Sequence, residues 1–252
     1  MVHWKARLRA AGIHFSISLG IAALSAALVF WLWYPYPYSE ISSGRELFLI
    51  VVSVDIVLGP LLTLAVFNLA KPRSELRRDL AVIGVLQLAG LCYGLWTVAL
   101  ARPVHLVFEL DRFRVVHLTE VPEDLMDRAP AGLRTLPWTG PTLLAVRPFK
   151  DSKENFDATM VALQGVPLGA RPDLWESYEA ARPRVLAALK PLPALKARFP
   201  ARIGEINAAI AASGKGAEAL AWLPMVGRKT FWTVLVDRTT ADVVGFIPLD
   251  SF

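Results

Sequence analysis

The sequence predicts a membrane protein in which three N-terminal transmembrane α-helices are followed by an α+β domain, and three observations carry that prediction. Residues 13–34, 47–69 and 80–100 are long apolar runs. Each is long enough, at about 1.5 Å per residue, to cross a hydrocarbon core of roughly 30 Å. The rest of the chain has no such run; it alternates β-branched stretches with amphipathic, helix-like ones. This divides the chain into a three-helix unit at 1–100 and a C-terminal domain at 101–252.

Orientation follows from the short flanks. Lys5, Arg7 and Arg9 precede the first run, and Lys71, Arg73, Arg77 and Arg78 crowd the link between the second and third. The link from Pro35 to Glu46 holds only Arg45 against two acids. The excess of basic residues on cytoplasmic loops predicts a cytoplasmic N-terminus and second link, and three crossings then put the C-terminal domain outside. Trp31, Trp33, Tyr34, Tyr36 and Tyr38 are expected at the outer interface, where amphipathic rings prefer to lie. The first run continues into Leu28-Val29-Phe30-Trp31 without a small-residue cleavage site, so it reads as a retained anchor.

The net charge of +5 invites a nucleic-acid reading. The C-terminal domain carries only 19 basic against 17 acidic side chains, so most of the surplus reflects topology, and no basic tract suited to phosphates is present. Cys92 is the one cysteine and lies in the third run, which excludes an intrachain disulfide.

In the C-terminal domain, 104–110 and 113–118 read as strands around an Asp111-Arg112 turn. That register pairs Leu110 with Phe113, Glu109 with Arg114 and Val107 with Val116. One face, Val104, Leu106, Phe108, Leu110, Phe113 and Val115, supplies the core; the Val107 and Val116 side is either covered by a second buried layer or left available to a partner. A third strand is expected at 142–147. Asp151 and Glu154 open a helix running to about Gln164, with Gly165 as its stop. Residues 172–213 read as several short helices interrupted by Pro183, Pro191, Pro193 and Pro200, the best of them at 201–213 before Gly214. Strands at 229–237 and 242–249, preceded by a short piece at 221–226, end the chain.

Motifs for chemistry are missing. Gly214-Lys215-Gly216 lacks both the upstream glycine and the following hydroxyl residue of a phosphate loop. His105 and His117 fall on opposite faces of the proposed hairpin, so no shared metal site is expected. No nucleophile elbow or paired Cys-x-x-Cys appears. Catalysis, metal and cofactor are therefore not expected.

The membrane region offers more. Asp55 lies within the second run, where an ionisable group is costly and needs an internal partner or a functional reason. Counting from the run ends puts it level with Tyr93, its expected hydrogen-bond partner. Gly59-Pro60 should kink that helix. Gly90 and Gly94 form a G-x-x-x-G pair, and Ser18, Ala22 and Ala26 recur every fourth residue; both surfaces permit close approach, to each other or to a foreign helix.

Specific stretches carry a resemblance. Trp33-Tyr34-Pro35-Tyr36-Pro37, Gly44-Arg45-Glu46-Leu47-Phe48, Val54-Asp55, Leu58-Gly59-Pro60-Leu61-Leu62-Thr63-Leu64, Asp79-Leu80-Ala81-Val82-Ile83, Tyr93-Gly94, Ala101-Arg102-Pro103-Val104, Asp111-Arg112-Phe113 and Trp232-Thr233-Val234-Leu235-Val236-Asp237 resemble the type IV pilin accessory proteins of the TfpX/TfpZ family. The resemblance is dense from about Trp31 to Val116 and returns near the C-terminus.

It implies a protein of the Gram-negative inner membrane that helps its cognate major pilin into a type IV pilus, chaperone-like and without enzymatic activity. Other pilus assembly components are further partners on that reading, and nucleic acid is not. A pilin awaiting assembly has one transmembrane helix and one periplasmic head. The candidate contacts or helix-packing residues are then Asp55, Gly59, Pro60, Gly90, Tyr93, Gly94, Val107 and Val116. A membrane-anchored periplasmic sensor or regulator is the alternative, though the predicted cytoplasmic segments are too short to form a signalling domain.

Overall fold

The computed structural model describes residues 4–252. It contains two units: residues up to Ser39 with Ser43–Ala101, and Glu40–Ser42 with Arg102–Phe252. Three residues of the first link thus cluster with the C-terminal unit, where Ile41 is buried against Gly227.

Three helices of the first unit are long and apolar enough to cross a membrane: Trp4–Trp33, Gly44–Val66 and Arg73–Leu100. The first comprises α1 (Trp4–Ala27) and a π-helical continuation over Leu28–Trp33; α2 (Tyr38–Ile41) is a single turn, and α3 (Gly44–Val66) and α4 (Arg73–Leu100) come next. Both α1 and α4 start well before the apolar runs, because long basic side chains can reach away from lipid while their backbone stays helical. Arg7 in α1 donates from Nε to the Phe67 carbonyl at 2.6 Å, closing the end of α3. The helix α3 packs along both neighbours, and α1 and α4 hardly touch each other.

The π-helical stretch re-aims the chain at Tyr34. Tyr34 N–H donates to the Val29 carbonyl at 2.7 Å, a bond one residue longer than an α-helical one. Its ring turns inward against Gly44, where a Cβ would lie 2.4 Å from Tyr34 Cδ1, and its hydroxyl donates to the Val98 carbonyl at 3.0 Å. Tyr34 and Tyr38 are therefore buried and are not interfacial anchors; Trp31 and Tyr36 remain exposed.

The C-terminal unit contains β1 (Pro103–Glu109), β2 (Arg112–His117), β3 (Thr142–Val146), α5 (Ser152–Leu163), β4 (Trp175–Ser177), α6 (Tyr178–Ala188), β5 (Lys190–Pro191), α7 (Leu192–Arg198), α8 (Ile203–Ala212), β6 (Leu220–Val226), β7 (Phe231–Asp237) and β8 (Val243–Ile247). One sheet runs in the order β4-β3-β1-β2-β6-β7-β8, with β5 also paired to β6. The β1–β3 and β2–β6 pairs are parallel and the others antiparallel. Asp151 caps α5 by accepting from Glu154 N–H at 2.8 Å, and Gly165 ends the helix with φ +101°. Helix α6 runs through Pro183, contrary to expectation, and the three-residue β4 had no signal of its own.

The hairpin register differs from the predicted one. Its turn is Leu110-Asp111, so Glu109 faces Arg112 and Phe108 faces Phe113, with ring centroids 5.7 Å apart. The pairing slides by two positions, which keeps every side chain on its face but changes its neighbour. Val107 lies opposite Arg114 and Val116 opposite His105. An edge-to-face contact of two phenylalanines in the core outweighs placing Leu110 there, and Leu110 turns out to solvent with φ +57°.

Of the two expectations for the Val107 and Val116 side, the structure shows the second buried layer and not a surface free for a partner. Both residues are fully buried in a cluster with Leu144, Leu174 and Trp175. Their cover is the turn at Leu168–Ala170. A Cβ on Gly169 would lie 3.3 Å from Val107 Cβ and 3.4 Å from Val116 Cγ2, so a larger residue would lift the turn off the strands. Gly169 N–H donates to Glu109 Oε2 at 2.9 Å, and its carbonyl accepts from Trp175 Nε1 at 2.8 Å. The other Glu109 oxygen accepts from Arg114 Nε at 2.7 Å, a diagonal pair where a directly opposed one was expected. The buried Glu109 carboxylate thus ties the covering turn to the hairpin.

A second core joins Leu195, Ile206 and Ile210 of α7 and α8 to Trp222, Leu235 and Ile247 of the sheet. The β7–β8 connection is held by Asp237, which accepts from the N–H groups of Thr239 and Thr240 at 2.7 and 2.9 Å and pairs with Lys215. These contacts favour the carboxylate, Lys215 most, and pull Asp237 down to about 2.

Replacing Glu109 by Ala leaves Gly169 N–H and the Arg114 guanidinium without their buried acceptor. We expect Glu109→Ala to destabilise the C-terminal unit by about 3 kcal/mol. Urea unfolding of detergent-solubilised protein, tracked by near-ultraviolet circular dichroism, checks this; an unchanged midpoint would refute the tie.

Candidate functional site

The chemistry of the first unit gathers around Asp55. Its neighbours are Gln87 of α4 and His14 of α1, which face its carboxylate. Gln87 Nε2 also donates to the Asp55 main-chain carbonyl at 3.1 Å. That carbonyl lies one residue before Ile56, whose own carbonyl loses its helical donor to Pro60, so α4 supplies a donor where the helix ladder is weakened. His14 Nδ1 is hydrogen-bonded to Thr63 Oγ1 at 2.5 Å. Asp55, Gln87, His14 and the buried Ser18 line a cleft of about 210 Å³ whose other walls are apolar.

Tyr93, the expected partner, is elsewhere. It is exposed, with its ring 5.8 Å from that of Trp96. The difference arises because the ends of the apolar runs are not the ends of the helices. Helix α4 begins at Arg73 and not near Leu80, so the level of Asp55 falls about two turns earlier along it. The same offset hid His14 and Gln87, although His14 and Ser18, four residues apart, were legible as one polar stripe on α1.

The candidate glycines divide by role. A Cβ on Gly59 would lie 2.0 Å from Gln87 Nε2, so the missing side chain is what admits Gln87 beside α3. Pro60 comes directly after it, and α3 stays helical through it. A Cβ on Gly94 would lie 2.4 Å from Val51 Cγ1, within the α3–α4 contact. Gly90 has no atom within 4 Å of such a Cβ, so the G-x-x-x-G pair does not act as one surface. Ser18 and Ala22 are buried in the row predicted for α1, and Ser25 is more buried than Ala26.

In the C-terminal unit the two histidines go to different partners. His105 bonds Thr142 Oγ1 at 2.7 Å and meets Trp175 edge-on, and burial lowers its pKa to about 4, keeping the ring neutral near pH 7. His117 lies 3.2 Å from Glu120. Among the described residues no three His, Cys, Asp or Glu side chains are grouped to hold a metal ion.

This arrangement has known relatives. Residues 2–43 match the family model of fimbrial assembly protein FimB. A fimbrial assembly protein of serogroup I from Dichelobacter nodosus is 34% identical over 243 residues, covering 96% of this chain and 94% of the relative. The chain belongs to the fimbrial assembly protein family. The serogroup E1 protein of the same organism is 32% identical with the same coverage, and that of serogroups C1 and C2 is 41% identical over 119 residues, 47% of this chain and 88% of the relative. No solved structure matches. This fimbrial assembly protein is thus a membrane protein of pilus assembly, and its similarity to the serogroup I protein runs through both units.

The two glycines give a direct contrast. Gly94→Val forces α3 and α4 apart and should cut the amount of protein in membranes several-fold, whereas Gly90→Val should leave it unchanged. Quantitative immunoblotting of membrane fractions decides; equal loss in both variants would refute the assigned roles.

Proposed function

We propose that this protein assists assembly of a cognate major pilin into type IV pili, as a chaperone-like accessory of the inner membrane without enzymatic activity. The observation that carries this reading is the near-full-length relationship to proteins named for fimbrial assembly. The architecture suits it: a helical membrane unit and a folded domain can each meet the corresponding part of a subunit with one transmembrane helix and one head. Other pilus assembly components are further partners on this reading.

Deleting the gene in a strain that makes a single major pilin should abolish or sharply reduce surface pili while pilin synthesis continues. Shearing and immunoblotting measure both. Normal piliation without the protein would end the assembly reading.

The N-terminus is cytoplasmic and the C-terminal domain periplasmic in this proposal, supported by Lys5, Arg7, Arg9, Lys71, Arg73, Arg77 and Arg78 gathering at one end of the spans. A periplasm-dependent reporter fused after Phe252 should be active, and the same reporter inserted near Ser74 inactive. The opposite pattern would invert the topology.

A further inference from the structure

We propose that the loop at 129–141 is a membrane-contact site of the C-terminal domain: Trp138 lies in the lipid headgroup layer of the leaflet in which α4 ends, and gives the domain a hold on the bilayer besides the chain itself. The inference does not depend on the pilin-assembly reading; it needs only α4 as a span. Its first support is reach. The apolar run 80–100 is about 31 Å long at 1.5 Å per residue, the thickness of a hydrocarbon core of roughly 30 Å, so Leu100 stands at the edge of that core. Ala101 alone separates Leu100 from Arg102. Arg102 therefore lies at most about 7 Å beyond the edge, within a headgroup layer about 5–8 Å deep.

Arg102 fixes Trp138 at this level. Its carbonyl accepts from Leu118 N–H at 2.9 Å, and β1 begins at the next residue, so its backbone is held by the sheet. The buried Arg102 side chain donates from Nη2 to the Pro137 carbonyl at 3.2 Å, and its guanidinium carbon lies 4.9 Å from the centre of the Trp138 ring. The Trp138 side chain is nevertheless 71% exposed. Leu133 and Leu136 of the same loop turn inward and pack against the cluster of Val107 and Trp175. The loop is thus folded with its leucines in and its tryptophan out. An indole at the edge of a hydrocarbon core is in the setting it prefers, because its ring suits the apolar side of the interface and its N–H the wet side.

Charge agrees with a lipid surface. Residues 129–141 contain no acid, and their one charged residue, Arg134, is exposed, so a leaflet with anionic headgroups attracts this loop and meets no like charge in it. The acids Glu123, Asp124 and Asp127 come before it. Exposure of an apolar side chain is not enough by itself. Leu110 is exposed too, yet it follows Arg102 by the whole length of β1, about 26 Å, and sits in a turn between Glu109 and Asp111. Trp138 alone combines exposure with a direct contact to the residue that leaves the membrane.

The test uses the full-length protein with Cys92→Ser and one new cysteine, Thr139→Cys beside the retained Trp138 or Leu110→Cys as the control, each carrying a polarity-sensitive fluorophore. The protein is reconstituted in vesicles of phosphatidylethanolamine and phosphatidylglycerol, with a quenching spin label on the lipid headgroup or deep in the acyl chain. At Thr139 the emission should shift to the blue and be quenched by the headgroup label several-fold more than by the deep one, while the Leu110 probe should emit as in water. Adding Trp138→Ala should remove the headgroup quenching at Thr139, and Trp138→Tyr, which keeps an amphipathic ring, should retain it. Because the ring is exposed, both variants should keep wild-type abundance in the membrane. Water-like emission at Thr139, equal quenching at both positions, or quenching unchanged by Trp138→Ala would overturn the membrane contact. So would a photo-crosslinking residue at Thr139 that captures pilin and no lipid in cells, since the loop would then be a protein contact.

Discussion

A carboxylate carried into an apolar span has to be surrounded by polar groups of the protein, because lipid tails provide neither donors nor water. In this chain that constraint organises the membrane unit. Asp55 sits in the span that touches both others, and Gln87 and His14 reach it from either side. Gln87 can do so only because Gly59 has no side chain at the crossing point, and α4 can run alongside because Gly94 admits Val51. The arrangement that flanks Asp55 on two sides also keeps α1 and α4 apart, so the polar cluster and the cleft it lines have one origin.

The same physics recurs in the C-terminal unit with a different outcome. Glu109 is a fully buried carboxylate, where Asp55 is half-buried, and both its oxygens are engaged, one by Arg114 and one by the backbone of Gly169. A satisfied buried acceptor works as a fastener, and here it closes the Leu168–Ala170 turn over Val107 and Val116.

Much was legible in the residues themselves. The three spans are set by composition, since no other environment tolerates runs of such length, and the strands at 103–109, 112–117, 142–146 and 231–237 arise from β-branched patterning. The Asp151 and Glu154 cap and the Gly165 and Gly214 stops are local, depending on neighbours three or four residues away, and so were readable. Asp55 stood out because its cost in lipid is a property of the residue and its surroundings in sequence.

Tertiary structure alone decided matters of relative position. The axial offset between α3 and α4 assigned Asp55 to Gln87 and His14 in place of Tyr93, and nothing within one helix records how far it slides along another. The hairpin register was chosen by Phe108 meeting Phe113 in the core, a gain that exists only once the sheet is packed. The covering of Val107 and Val116 came from a turn some sixty residues downstream whose fit depends on a glycine against two valine side chains. Composition determined which segments are apolar and which are strands, because burial in lipid and β-preference are properties of single stretches; packing determined which faces remain open, because that depends on pairs of segments brought together by the whole chain.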